Sequence, residues 1–177
     1  MRTMVKKILL TVMVALFGVS GYVKAQDQLV KPKALLTLSF IRYLGWSEEA
    51  RQGDFVIGVI RDRDMANMLS NQSAGKKFGF QDVVVKNFKS VAEVEDCQVI
   101  FVSHNVNFGK NAAALLDKVG KDTLIITEEE GAVKSGSMIN FVVRESRLRF
   151  ELSKQNASVS NIQFSQKLTD LTAAINL

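Results

Sequence analysis

The 177-residue sequence has one cysteine, one histidine and one proline. Cys97 has no partner in its own chain, so an intramolecular disulfide is excluded; a domain with an adequate core does not need one. A single His and a single Cys cannot supply the convergent nitrogen and sulfur ligands of a zinc-type centre. That leaves oxygen sites such as Glu128-Glu129-Glu130, a run that is more often a solvated loop. With Pro32 as the only proline and no repeat or low-complexity tract, nothing marks a linker or a second domain. Catalytic motifs are missing as well. Ser137 follows Gly136 directly, which breaks the Gly-x-Ser-x-Gly turn of a serine hydrolase. Gly75-Lys76 is followed by Lys77, not Ser or Thr, and Ser70 occupies the first-glycine place of a phosphate loop. The chain reads as non-enzymatic and free of cofactor.

What is present begins with the first 25 residues. Arg2, Lys6 and Lys7 precede an apolar run over 8–19, and Val23-Lys24-Ala25 places small residues at −3 and −1 of a cut. That order defines a secretory signal peptide, and a run of about 12 residues is too short to span a bilayer. The expected mature chain is 26–177, a single exported domain with no stable membrane insertion. No cysteine follows the cut, so a lipid anchor is not expected. The whole chain carries 23 Lys+Arg against 18 Asp+Glu, and removing Arg2, Lys6, Lys7 and Lys24 leaves 19 against 18. The basic balance therefore belongs mostly to the leader, and nucleic-acid binding, which needs cations concentrated on the folded domain, is not expected.

Along the mature chain, 34–44 predicts a helix with Leu36, Phe40, Tyr43 and Leu44 on one face, Pro32 in its first turn and Gly45 at its end. The run Phe55-Val56-Ile57-Gly58-Val59-Ile60 is continuously apolar, the pattern of a strand buried on both faces. A helix over 65–69 capped by Asp64, a strand at 83–85 and a short polar helix at 91–95 follow. Next come a strand at 99–102, a helix over 111–119 ended by Gly120, and a strand at 123–127. This alternation predicts an α/β fold with a mainly parallel, Rossmann-like sheet. Segments 138–143 and 148–152 predict an antiparallel hairpin near the C-terminus, its second strand wet on the side of Arg147, Arg149 and Glu151. A last helix places Phe164, Leu168, Leu171 and Ile175 on one stripe behind a Ser165 cap.

Ligands of open α/β sheets sit at the carboxyl ends of strands. Arg61, Ser103, His104 and Asn105 stand at such ends and form the candidate rim for a small ligand or a partner, while polar strand-end loops are the simpler reading. Cys97 lies in a buried-strand pattern and reads as a small core residue, with an intermolecular disulfide as the alternative.

In order and spacing, the motifs resemble the YfiR family of bacterial periplasmic proteins over about 140 residues. They run from Lys33-Ala34 opening a helix that leads to Trp46, through Phe55-Val56-Ile57-Gly58-Val59, Ala74-Gly75-Lys76 and Val94 to Ser103. The strongest block is Gly136-Ser137-Met138-Ile139-Asn140-Phe141, followed by Arg147-Leu148-Arg149-Phe150-Glu151-Leu152. Trp46, Gly58, Cys97, Gly136, Asn140, Phe141, Arg149, Phe150 and Glu151 are the motif residues, read as structural. The resemblance implies a periplasmic protein that binds the periplasmic sensor region of an inner-membrane diguanylate cyclase and represses it, lowering cyclic-di-GMP and biofilm formation. The alternative it implies is a small-ligand sensor module feeding a histidine kinase; a homodimer is compatible with both. Two departures stand out. Ser47 follows the tryptophan where proline is usual, and Cys97 lacks the partners that other members use in disulfide pairs, so a thiol switch within one subunit is not expected.

Overall fold

The computed structural model describes residues 29–175, with side chains described to residue 170. The leader and its cut lie outside the described residues, as do the side chains of Leu171 and Ile175. A helix over 29–41 (α1) leads to β1 (Leu44–Gly45), then β2 (Phe55–Ile60), α2 (Arg63–Ser73), β3 (Lys77–Phe78) and β4 (Gln81–Phe88). The chain continues through β5 (Val99–Val102), α3 (Phe108–Val119), β6 (Leu124–Thr127), β7 (Ile139–Arg144), β8 (Arg147–Leu152), α4 (Lys154–Val159), β9 (Gln163–Phe164) and α5 (Gln166–Ile175). Seven strands form one sheet in the order β3-β4-β2-β5-β6-β7-β8, and β1 pairs with β9 in a second, two-stranded sheet. The pairs β4/β2, β2/β5, β5/β6 and β6/β7 are parallel; β3/β4 and β7/β8 are antiparallel.

The α/β class and the mainly parallel sheet agree with the sequence pattern. The Rossmann-like expectation is corrected in its strand order. Counted along the chain, the five parallel strands lie 2-1-3-4-5, which is the flavodoxin-type order of wound α/β sheets. The runs in β5 and β6 are buried at every position, so water is excluded from both faces at the sheet centre. Gly58 sits in that centre for a packing reason. A Cβ there would meet Ile100 Cδ1 and Phe88 Cε2 at 2.7 Å and Cys97 Sγ at 3.3 Å. On the face that meets α1, Phe40 packs on Phe150 at 4.7 Å and on Phe141 at 6.0 Å between ring centroids.

Several local expectations change for tertiary reasons. The first helix ends at residue 41, because Leu44 and Gly45 are drawn into main-chain pairing with Phe164 and Gln163. Its buried face is Ala34, Thr37, Leu38 and Ile41 together with Phe40, whereas Leu36, Tyr43 and Leu44 are only half-buried. Residues 29–31 are already helical, so Pro32 does not open the helix. Phe164 belongs to β9, not to the last helix, although Ser165 does cap that helix: its Oγ accepts from the Leu168 N–H at 3.4 Å. The α2 cap is Asp62 instead of Asp64, because Asp62 is extended and its carboxylate accepts the Met65 N–H at 2.8 Å. On β8 the wet-and-dry alternation is blurred: Arg147 is exposed, Arg149 and Glu151 are half-buried, and so are Leu148 and Leu152. The two-residue turn between β7 and β8 holds Glu145 and Ser146 at φ 50° and 60°, the geometry of a primed hairpin turn without its usual glycine.

Candidate functional site

Strands β2, β5 and β6 end side by side, and the residues that follow them form the strand-end rim. Arg61 takes a left-handed φ of 58° so that its N–H reaches the Phe88 carbonyl at 2.9 Å, leaving its side chain exposed. Ser103 is 1% exposed, and its Oγ accepts the Asn105 N–H at 3.0 Å. Its hydroxyl is thus a turn-forming group facing inward. That turn fixes His104, whose N–H and ring Nδ1 both lie 3.2 Å from Glu128 Oε2. The other oxygen of Glu128 pairs with the Lys33 ammonium, brought in by α1. Both side chains of this pair are nearly out of water, at 10% exposure for Lys33 and 5% for Glu128. Burial pushes the neighbouring Asp62 carboxyl up from its ordinary value; the Met65 N–H opposes this, the charges of Glu128 and Asp64 add to it, and His104 works against it.

The glutamate run has three separate duties rather than one. Glu128 holds Lys33 and His104. Glu129 turns back onto the start of α3, where the Phe108 N–H and, at 3.0 Å, the Gly109 N–H donate to its carboxylate. A carboxylate there satisfies amides that an α-helix leaves without partners and suits the positive end of its dipole. Glu130 takes Arg144 in a two-point pair at 2.7 and 2.6 Å, on the surface. The simpler reading, a solvated loop, therefore fails for Glu128 and Glu129. Lys33, His104, Glu128, Glu130 and Arg144 line a groove of about 220 Å³ together with Phe141.

Beside the groove runs a buried chain of polar groups. Thr127 Oγ1 is 2.7 Å from both Ser137 Oγ and Asn140 Oδ1, and Asn140 Nδ2 donates to Glu151 Oε2 at 2.9 Å. Ser137 Oγ is also 2.9 Å from the Ile139 carbonyl. Each hydroxyl has a single proton. If Thr127 donates to Asn140, the proton between the two hydroxyls must come from Ser137. The bonds then run in one direction, Ser137 to Thr127 to Asn140 to the Glu151 carboxylate. Ser137 is fully buried in this chain, with no hydrogen bond to His104 among the described residues. Cys97 is buried, its thiol donates to the Glu95 carbonyl at 3.3 Å, and burial pushes its pKa up to about 12. So little thiolate at neutral pH makes it a poor nucleophile.

The remaining motif residues build the frame around these groups. Trp46 stands edge-on to Phe55 at 5.3 Å and donates from Nε1 to the Ile41 carbonyl at 3.4 Å. Gly136 has φ 109°, and a Cβ there would meet Leu116 Cδ1 at 2.8 Å, so the turn into β7 needs glycine. Phe141 and Phe150 are core rings. No carboxylate lies within 4 Å of Arg149 among the described residues, although Glu151 is on its strand face. The sequence pattern placed Thr127 and Glu128 at a strand end beside His104, but it did not bring Lys33 to Glu128 or join Thr127 to Ser137 and Asn140. The available hint was a polar residue inside an apolar strand, as at Thr127 and Asn140.

Among the described residues no group of three or more His, Cys, Asp or Glu is placed to hold a metal, and no helix is long and apolar enough to cross a membrane. Strand order and an internally paired rim together define a wound α/β domain that presents surfaces and grooves. The chain belongs to the YfiR/HmsC-like family, whose sequence profile matches residues 31–173. Proteins of this family are periplasmic regulators of cyclic-di-GMP signalling, and this chain is of that regulatory class. No curated protein matches the chain.

Proposed function

We propose that this domain acts by contact, binding the periplasmic sensor region of an inner-membrane diguanylate cyclase and holding that enzyme in its inactive state. The observation that carries the reading is that the reactive groups at the strand ends are engaged with other parts of the same chain. Glu128 is taken by Lys33 and His104, and the Ser137 hydroxyl by Thr127. Groups so engaged hold a surface in shape and are not free to attack a substrate. Repression then requires tighter binding to the inactive conformation of the partner than to the active one. A difference of about 2.7 kcal/mol shifts that balance roughly a hundredfold. The protein reaches its partner by export, with the leader removed.

Deleting the gene and measuring cyclic-di-GMP and surface attachment tests the reading. Both rise if the domain represses a cyclase, and both return when the chain is supplied in trans. Unchanged cyclic-di-GMP in the deletion strain would overturn repression of a cyclase.

A further inference from the structure

We propose that the cleft between α1, β1 and the β3–β4 hairpin receives an extended acidic segment of the signalling partner, with one apolar side chain of that segment seated among the aromatic rings. The proposal rests on the contact reading above and says where, and by what chemistry, the contact is made.

The cleft has a volume of about 530 Å³ and opens at the amino ends of β2 and β4, within the size range of specific binding pockets. Its walls are preformed. Phe55 is gripped between Trp46 at 5.3 Å and Phe78 at 4.8 Å, and the indole is itself tied to the Ile41 carbonyl. At the mouth, on the two-residue turn after β3, stands Phe80 with 99% of its surface exposed. A ring held fully in water at a hairpin tip is an apolar anchor without a covering partner among the described residues. A second, shallower groove of about 170 Å³ shares Arg42 and Phe78 with the cleft and runs on along α1 to Leu35, itself 44% exposed. An apolar track that joins two grooves, from Phe80 to Leu35, suits a stretch of extended chain.

Charge selects the occupant. Arg42, Arg51 and Lys77 line the cleft, Lys76 lines the second groove, and among the described residues no acidic one lines either. Lys77 is paired with Asp82 at 2.9 Å. The Arg42 guanidinium lies 6.0 Å over the Phe78 ring, and among the described residues neither it nor Arg51 has a carboxylate within 4 Å. Unpaired guanidinium groups around aromatic walls favour carboxylates outside and an apolar group inside. A flat anionic bilayer would meet the cations and Phe80 but could not fill a concave cleft.

Trp46 is the only tryptophan of the chain and it lines the cleft, so its emission reports occupancy directly. The purified protein is titrated with three tryptophan-free peptides, each with a central phenylalanine flanked by aspartates, asparagines or lysines. A fourth arm uses phosphatidylglycerol vesicles. We expect the aspartate peptide to shift Trp46 emission and to bind about tenfold more tightly than the asparagine peptide, with the lysine peptide inert. Arg51→Glu should erase that preference, and Phe80→Ala should weaken the aspartate peptide about tenfold while far-ultraviolet spectra stay as wild type. Equal binding of the aspartate and asparagine peptides, no response to any peptide, or a response to vesicles alone would overturn the proposal. In cells, a folded Phe80→Ala chain that still represses, where the deletion does not, would sink the cleft and leave contact repression standing. A silent deletion would do the reverse, since the peptide titration needs no knowledge of the cyclase.

Discussion

At the carboxyl ends of β5, β6 and β7 most polar side chains are joined to one another, whereas at the amino ends of β2 and β4 aromatic rings and cations face an open cleft. Lys33, Glu128, His104, Glu129 and Glu130 use each other, a helix end or Arg144, and beneath them Ser137, Thr127, Asn140 and Glu151 are linked in series. Phe80, Arg42 and Arg51 at the other end have no such closure among the described residues. Carboxyl ends are where wound α/β sheets commonly bind ligands, yet here the groove there is about 220 Å³ against about 530 Å³ for the cleft. One end of the sheet therefore fastens α1 and β8 to the core, and the other keeps apolar surface uncovered. If that division is right, changes at the carboxyl ends cost stability and changes at the cleft cost recognition.

The largest effect on stability should come from Glu128→Gln. Lys33 would keep its charge at 10% exposure with no counter-charge, and breaking a nearly buried pair from one side costs about 3 kcal/mol. Adding Lys33→Met should recover most of the loss, because the penalty belongs to the stranded ammonium and not to the missing attraction. Urea unfolding followed by Trp46 fluorescence measures both. A loss below about 1 kcal/mol in the single variant would mean that the carboxyl-end rim is ornamental to folding.

Asn140→Leu ranks next, at about 2 kcal/mol. The leucine strands the Asn140 partners, a fully buried Thr127 hydroxyl and the Glu151 carboxylate. The loss is limited because Thr127 still accepts from Ser137, so that only its own proton is left without an acceptor. A Thr127→Val, Asn140→Leu double variant removes that hydroxyl along with its acceptor and should be less destabilised than Asn140→Leu alone. The two urea midpoints decide this; equal or greater loss in the double variant would break the account of the series.

How far these groups were legible in the chain follows from the same physics. β2, β5 and β6 announce themselves because a strand buried on both faces must be apolar throughout, and the Gly120 helix end because a left-handed turn favours glycine. β1, β3 and β9 are two residues each, shorter than any periodicity; β3 is the short arm of a tight hairpin with β4, and β1 and β9 exist only because distant segments meet. The same holds for Lys33 with Glu128, residues far apart in sequence whose pairing is set by where α1 lands. His104 and Ser103 were found at the strand ends by rule, but which of them faces inward is decided by a turn hydrogen bond. Phe80 could not be told from a core phenylalanine, since exposure at a hairpin tip leaves no mark in composition.

A smaller effect, read through pH, comes from Asp62. Its carboxyl is pushed up chiefly by burial, so the folded protein binds that proton more tightly than the unfolded chain does. Stability contributed by this group is present below the ordinary value of 3.8 and falls as pH rises through the raised one. Asp62→Asn keeps the cap on α2, because an amide oxygen accepts the Met65 N–H as well as a carboxylate does. The variant should therefore gain on the wild type as pH rises from about 4 to 7. Urea midpoints across that range check it, and a constant difference at every pH would assign Asp62 a purely local capping role.

The smallest change in stability should be that of Phe80→Ala, and this is the sharpest test of the division between the two ends. Deleting a buried phenylalanine side chain costs about 3–5 kcal/mol through lost transfer and a cavity. Phe80 is 99% exposed in the free domain, so neither loss arises and the unfolding midpoint should stay within about 0.5 kcal/mol of wild type. A slight gain would also fit, since the ring removes no water-exposed surface on folding. A loss of about 2 kcal/mol or more would show that the ring packs against its own chain. The hairpin tip would then belong to the core, and the contrast between a fastened end and an open one would disappear.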